Sequence, residues 1–481
     1  MRTISAAVLF VAWFAALAGA VAQADLPGRE RLERPEPADL TRVFVRIPCV
    51  AAGKEGVAAS VLIPRQPRFT NGAPVVINVA GGVQAGSARG RPEYVRHGFV
   101  EIHFAFPGGG QGDERSGGTY DFRGPNCIRA LADVIRFATG RVVDQDGRRI
   151  GDVARGAKVL TNNVGIVGSS HGGNACGMAM ALHGAEFPNL AWYTSMESPY
   201  GEGAANVELG GRDSGLNPAY APKTGVLDLS KLAWSSEISP GLMRKPMLVS
   251  TRELRGAFYF DLDGNGRFDA EEDFPANAFV GDAGNGVKAW YSPRIVAEAE
   301  RRKLIRGERP RHVPTLAEAK EFWRCRDATA GIPSAVRNCT NLAVIVYAKE
   351  RDHVQADPAH THILEQAEGF RKAGARFVRL NPDRAYVERV LPSGPAFNRP
   401  AQFPDNPAGK MWTRTNITEG VEPAAVPLGV YMQAAVCELA DRAHAGNWSA
   451  NLDAVLFQNT PKPAAFRPEG NPPRRRDQER L

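Results

Sequence analysis

The ten residues Val164-Gly165-Ile166-Val167-Gly168-Ser169-Ser170-His171-Gly172-Gly173 leave this chain few choices. An apolar run breaks into a glycine-flanked serine, and a helix-forming stretch follows from Asn174 to His183. The order predicts a strand, a sharp turn and a helix, with Ser170 central in a G-x-S-x-G pattern on the turn. Such a turn forces the serine backbone into a costly conformation, and flanking glycines let neighbouring chain pass where a Cβ would collide. A serine held this way stands with its hydroxyl exposed. The backbone N–H of His171 then points where charge would develop on an attacked carbonyl oxygen. The competing reading is a plain glycine-rich turn between a buried strand and a helix.

The elements around the turn decide between the two. Residues 42–47 and 57–63 read as an N-terminal hairpin. Residues 74–80 and 99–106 are apolar strands ending in Gly81-Gly82 and Gly108-Gly109-Gly110. Residues 126–139 place Ile128, Leu131, Val134, Ile135 and Phe137 at helical spacing, and 190–194 form a further strand. From about 201 to 341 the alternation lapses into a loop-rich stretch with helix-like pieces at 293–304 and 316–323. This stretch reads as an insertion covering the site. A strand at 342–347, a helix at 358–372, a strand at 375–380 and a last amphipathic helix at 427–444 complete the pattern. Strands alternating with helices predict an α/β fold, with a mainly parallel sheet and helices on both faces. The expected organisation is a core in two parts, 25–200 and 341–460, interrupted by the insertion 201–340. The proline- and charge-rich tail 461–481 is expected to be disordered.

The N-terminus reads as a secretory signal: Arg2, an apolar run over 6–21, and Ala22-Gln23-Ala24 as a small-x-small cleavage site. The run is short for a membrane span and no second one follows. We therefore expect cleavage after Ala24 and a mature protein that is periplasmic or secreted, without stable membrane insertion. The formal net charge of +7 is scattered apart from Arg474-Arg475-Arg476, and no basic helix is interleaved with aromatics, so nucleic acid is not an expected partner. None of the six cysteines forms a metal-type C-x-x-C. In an exported chain an even count is compatible with disulfides, and Cys325 and Cys339, which bracket a short loop, are the expected pair. Cys176 reads as a small buried apolar residue.

The elbow GSSHGG, the strand ends VINVAGG and FAFPGGG, and the segment VIVYAKERDHVQ together resemble the α/β-hydrolase superfamily, in the style of its prolyl-oligopeptidase and dienelactone-hydrolase-like branches. The resemblance spans about 41–200 and 341–445, and it makes the insertion a lid. It implies a serine hydrolase that cleaves a small-molecule or polymer ester, or an amide, through an acyl-enzyme on Ser170. The oxyanion donors it implies are the N–H of His171 and one from Gly82 or Val83. Asp352, on the loop after the strand 342–347, stands where such enzymes carry the orienting carboxylate. Asp357 reads better as a helix cap, and Glu197, after an earlier strand, is another position where some relatives carry the acid.

The chain departs from the family at the histidine, which should follow the last strand. No histidine occurs from 363 to 443, and a serine hydroxyl without a base is a poor nucleophile at neutral pH. His353 is the first choice of base because its loop is expected near the site. His360, His362, His312 and His171 remain alternatives. A non-catalytic binding or structural protein on the same fold is the rival reading.

A second motif lies in the insertion. Residues 261–272 match the twelve-residue EF-hand calcium loop, with oxygen ligands at Asp261, Asp263, Asn265, the Arg267 carbonyl, Asp269 and Glu272, and Gly266 at the sharp turn. Residues 257–260 before the loop read as a strand and Pro275 limits any helix after it, so calcium is expected as a structural ion pinning the insertion. Trp234, Phe258, Tyr259, Trp290, Tyr291 and Trp323 either line an apolar site or form the insertion's own core.

Overall fold

A computed structural model of the chain describes residues 40–200, 208–211, 215–221, 224–240, 254–347, 361–381 and 428–448. The apolar runs pair into an eight-stranded sheet. Its strands are β1 (Thr41–Ile47), β2 (Val57–Ile63), β3 (Val75–Val79), β4 (Val100–Phe104), β5 (Val164–Ser169), β6 (Leu190–Met196), β7 (Ala343–Tyr347) and β8 (Phe377–Leu380). They lie side by side in the order β1-β2-β4-β3-β5-β6-β7-β8. The β1–β2 and β2–β4 pairs are antiparallel, and every other neighbouring pair is parallel.

Both faces of the sheet are covered, which is why its inner strands are apolar on both sides rather than alternating. On one face pack α1 (Pro125–Ala138), α2 (His171–His183), α5 (Ile332–Asn338) and α6 (Thr361–Lys372), numbering from here in chain order with α3 (Pro293–Arg302) and α4 (Leu316–Arg324) between α2 and α5. Leu131, Ile135, Met180, Ile332 and Phe370 fill that side. On the other face lies α7 (Leu428–Ala445), with Tyr431, Val436 and Leu439 against Val76, Trp192 and Ile345. Buried ion pairs fasten α7, Arg68 to Asp441 and Arg379 to Glu438, and Arg442 pairs with Glu438 within the helix. Trp192 also explains a glycine inside β5, since a Cβ at Gly165 would lie 1.9 Å from its ring.

The insertion has more regular structure than a loop-rich reading allows. Leu232–Ser235, Ala257–Phe260 and Phe274–Pro275 form a three-stranded antiparallel sheet, and Phe279–Asp282 pairs with Val287–Trp290. These strands are two to four residues long, and all but the expected Ala257–Phe260 are too short or too mixed for their periodicity to register in sequence. The helices start on good caps, Ser292 and Pro293 for α3 and a Thr315–Glu318 capping box for α4. Phe258, Phe260, Phe274, Tyr291 and Ile295 belong to a core separate from that of the sheet. Trp234 packs on Phe258 and Phe258 on Tyr291, each at 4.9 Å. Three of the six aromatics expected either to line a site or to form a core therefore serve as core. Trp290 and Trp323 instead join Phe279 and Phe322 in a seam against Phe122 of the sheet domain.

The expected disulfide is absent: all six cysteines are buried free thiols. Cys325 ends α4 and Cys339 ends α5. Cys339 Sγ is turned toward Gly184, where a Cβ would meet it at 3.0 Å. Cys176 is fully buried in α2, its thiol pushed up by burial. Among the described residues no helix is long and apolar enough to cross a membrane.

Candidate active site

Ser170 stands between the last residue of β5 and the first of α2 with φ 48° and ψ −126°. A non-glycine residue in that region costs on the order of 1–3 kcal/mol and persists only where its surroundings over-determine it. They do so here through backbone. The Ser170 N–H donates to the Met196 carbonyl at the end of β6 (2.7 Å), and the Gly173 N–H donates to the Ser170 carbonyl (2.9 Å). A Cβ on Gly172 would lie 2.5 Å from the Val79 carbonyl oxygen and 2.6 Å from that of Ala80; one on Gly168 would lie 2.6 Å from the Gly173 Cα. The glycines thus let α2 press directly on β3 and β5. Ser170 itself is half-buried.

The loop after β3 comes up against the same turn. A Cβ on Gly81 would sit 2.6 Å from the Ser169 carbonyl oxygen and 3.0 Å from Ser170 Cβ. Gly82 follows with φ 69° and is exposed, and Val83 is half-buried against Phe122 and its aromatic neighbours. The structure therefore gathers Gly82, Val83, Ser170 and the backbone of His171 at the carboxyl edge of the parallel strands. As the first residue of α2, His171 presents an N–H that has no partner within the helix. Its side chain does other work. The imidazole is buried, stacked on Phe279 at 5.4 Å and tilted to Phe122 at 5.9 Å. Burial, and after it the charges of Arg123 and Arg326, lower its pKa to about 3, so the ring is neutral. Neither ring nitrogen is in hydrogen-bonding geometry, and the nearby Gly82 backbone offsets little of this.

Two more strained residues share this edge. Glu197 follows β6 with φ 43° and Asn381 follows β8 with φ 62°. Both are buried, and their N–H groups donate to the Tyr347 and Val346 carbonyls of β7 at 3.1 and 2.8 Å. Left-handed non-glycine residues directly after β5, β6 and β8 concentrate strain where a sheet of this type carries its chemistry. Asn381 occupies the strand end where the resemblance led us to expect a histidine.

Asp352 and His353 lie outside the described residues, as do Asp357 and His360. Among the described histidines, His312 is committed to the Gly256 carbonyl inside the insertion (2.9 Å), which removes it as a base reaching down to Ser170. His97 pairs with Gln433, His103 with Glu101, His183 with Glu186, and His444 stacks on Phe69. His362 is buried near the start of α6. Among the described residues nothing hydrogen-bonds the Ser170 hydroxyl.

The strand order and the serine turn establish an α/β fold, a mainly parallel sheet with helices on both faces. No protein-family model matches the chain, and no curated protein matches it. Three solved structures illustrate the distant likeness. A hypothetical protein of Pseudomonas aeruginosa is 14% identical, with 75% of this chain and 91% of that one covered, at a TM-score of 0.33. Carboxyl esterase 2 of the fungus Tuber melanosporum is 11% identical over 73% and 79%, at 0.34. Brefeldin A esterase, a bacterial homologue of human hormone sensitive lipase, is 12% identical over 74% and 71%, at 0.32.

The acidic loop joins two paired strands, with Phe260 opposite Phe274, and is not a helix–loop–helix hand. Asp261 accepts the N–H groups of Gly264 and Gly266 (2.9 and 3.1 Å), Asn265 that of Arg267 (2.7 Å), and Asp269 that of Glu271 (2.8 Å). Possible ligand atoms of Asp261, Asp263 and Asp273 lie within 4.8 Å of one another. Asp273, one position beyond the motif, was not anticipated; it is buried and accepts from the Leu262 and Asp269 N–H groups. Glu272 faces Asp263, whose hydrogen bond and charge lead the influences raising its carboxyl. Carboxylates crowded this way, with an amide oxygen beside them, suit a hard divalent cation.

Proposed function

We propose that the protein is an exported serine hydrolase that cleaves a carboxylic ester, small or polymeric, through an acyl-enzyme on Ser170. One observation carries the reading: Ser170 is held at φ 48° where β5 meets α2, beside the exposed Gly82 backbone. In this mechanism the Ser170 oxygen attacks the ester carbonyl as its proton passes to a base. The carbonyl oxygen takes up negative charge and is held by the His171 N–H and that of Gly82 or Val83. Collapse expels the alcohol, which receives the proton, and water repeats the sequence to free the acid. The base we assign is His353, oriented by Asp352 or by Glu197. Glu197 gains support from its burial beside Met196, whose carbonyl fixes the Ser170 N–H. Export rests on the signal-like residues 1–24.

Calcium is the proposed structural ion, held by Asp261, Asp263, Asn265, the Arg267 carbonyl, Asp269 and Glu272, with Asp273 a further carboxylate at hand. Its contribution is to neutralise these carboxylates and fix the turn.

The test is labelling with a fluorophosphonate probe, followed by hydrolysis of p-nitrophenyl esters of increasing chain length. Wild type should label and turn over, Ser170→Ala should do neither, and His353→Ala should lose turnover. Unchanged turnover in His353→Ala would remove that base. The absence of a hydrogen-bond partner for the Ser170 hydroxyl among the described residues favours a second reading, a binding protein without catalysis. Failure of the wild type to label would establish that one.

A further inference from the structure

Arg123 has no place in the mechanism above, yet it is 1% exposed and lies beside the loop that mechanism needs. Its Nη2 donates to the Ala80 carbonyl at 2.7 Å and, more weakly, to the Gly81 carbonyl at 3.4 Å. Nε and Nη1 have no partner, and the guanidinium carbon lies 4.1 Å from the centre of the Phe106 ring. A guanidinium stays charged at any physiological pH, and leaving two of its N–H groups unpaired in the interior is costly. Phe122 and Arg123 also adopt φ 56° and 64°, two consecutive left-handed residues without glycine. Sequence reasoning could not find this, because nothing in Phe122-Arg123-Gly124-Pro125 marks a left-handed pair.

The strained segment is anchored at both ends. The Asp121 carboxylate accepts from the Gly124 and Asn126 N–H groups at the start of α1 (3.0 and 2.6 Å). Arg326, just past α4, donates to the Asp121 and Phe122 carbonyls (2.5 and 2.7 Å). The same segment grips the loop after β3 a second time, where the Tyr120 hydroxyl donates to the Val83 carbonyl at 2.9 Å. Burial raises the Tyr120 pKa to about 12, which keeps that proton in place.

In a planar trans peptide the C=O and the following N–H point in opposite directions. Drawing the Ala80 and Gly81 carbonyls toward Arg123 therefore turns the Gly81 and Gly82 N–H groups away from it. A cationic donor on the carbonyl oxygen also polarises the amide and strengthens its N–H as a donor. We propose that Arg123, seconded by Tyr120, is a positioning residue that sets and polarises the oxyanion loop from behind. This rests on the serine-hydrolase reading of Ser170.

The experiment compares wild type with Arg123→Met, Arg123→Lys and Tyr120→Phe in the full chain. It measures kcat and KM on p-nitrophenyl acetate, the rate of fluorophosphonate labelling, and Tm. A loop that acts only in the transition state should move kcat and leave KM. Arg123→Met should lose about 10- to 100-fold in kcat, less than the roughly 100- to 1000-fold that removing an oxyanion donor itself costs, with KM within about twofold and labelling slowed in parallel. Arg123→Lys, which keeps a charge and a donor, should recover part of the loss, and Tyr120→Phe should lose less than Arg123→Met. Wild-type kcat and labelling in folded Arg123→Met overturn the proposal, as does a loss matched by an equal rise in KM. Should Arg123→Met not fold, wild-type kcat in both Arg123→Lys and Tyr120→Phe overturns it. A wild type that neither labels nor turns over fails the Ser170 reading instead, and takes this proposal with it.

Discussion

Around Ser170 the chain is held by backbone pressed on backbone, whereas between Asp261 and Asp273 it is held by its own side chains folding back on nearby N–H groups. The first turn is welded into the sheet, and its geometry depends on three strands at once. The second is an exposed span between two short strands that brings like charges together. Strain at the first is imposed from outside. At the second it is electrostatic, and the calcium we propose there would remove it. The two turns should therefore respond to different insults.

The largest effect should come from closing the gap that Gly172 leaves. Gly172→Val pushes a side chain against the Val79 and Ala80 carbonyl oxygens and should cost about 3 kcal/mol or more, read by urea unfolding, with ester turnover lost. A loss below about 1 kcal/mol would break the contrast. Next comes the cation. At a hundredfold excess over its Kd calcium should add about 2.7 kcal/mol, seen as a fall in Tm on chelation. Asp263→Asn should abolish that fall and leave Ser170 labelling unchanged at temperatures where the chain stays folded. Calcium-insensitive melting of the wild type would remove the ion.

Acid should act with one sign on the buried histidine beside Ser170. His171 titrates near 3 in the folded chain against 6.5 for the free side chain. Below about pH 6.5 the unfolded chain takes up a proton that the folded one refuses. Stability is then lost as pH falls toward 3, at most about 1.4 kcal/mol per unit. His97, lowered to about 4 mainly by burial, adds to the same limb. His171→Leu should flatten the slope of stability between pH 7 and 5, and an unchanged slope would contradict the neutral buried ring. In the acidic loop the shifts oppose each other: the raised Glu272 carboxyl contributes stability that is lost as pH rises through its pKa, and the Asp263 carboxyl, held down by the Asn265 N–H, contributes stability that is lost as pH falls. The smallest effect is Ser170→Gly. Relieving the φ of 48° should raise stability by about 1 kcal/mol while turnover disappears.

These differences also explain what could be read in the sequence. The strand–turn–helix order at Ser170 was legible because glycine spacing there records contacts with β3 and β5. The sheet was legible because both of its faces are buried and its strands are apolar throughout. Ala257–Phe260 was legible as a strand, and the insertion's other strands escaped because pairs such as Phe260 with Phe274 are made between residues that no local window relates. The disulfide failed for the same reason: closeness in sequence between Cys325 and Cys339 says nothing of the helix ends that carry them. Asp273 was missed because the motif ends one residue before it. Arg123 was hidden in a backbone conformation that its neighbours, not its own identity, impose.

The aromatic seam of Phe122, Phe279, Trp290, Phe322 and Trp323 has an evolutionary corollary. Since the insertion's strands with α3 and α4 keep a core of their own and meet the sheet domain through a face of rings, they are a transplantable part. A different module bearing a matching ring face would graft onto this scaffold and hand it a new repertoire, with the hydroxyl beneath left as it stands.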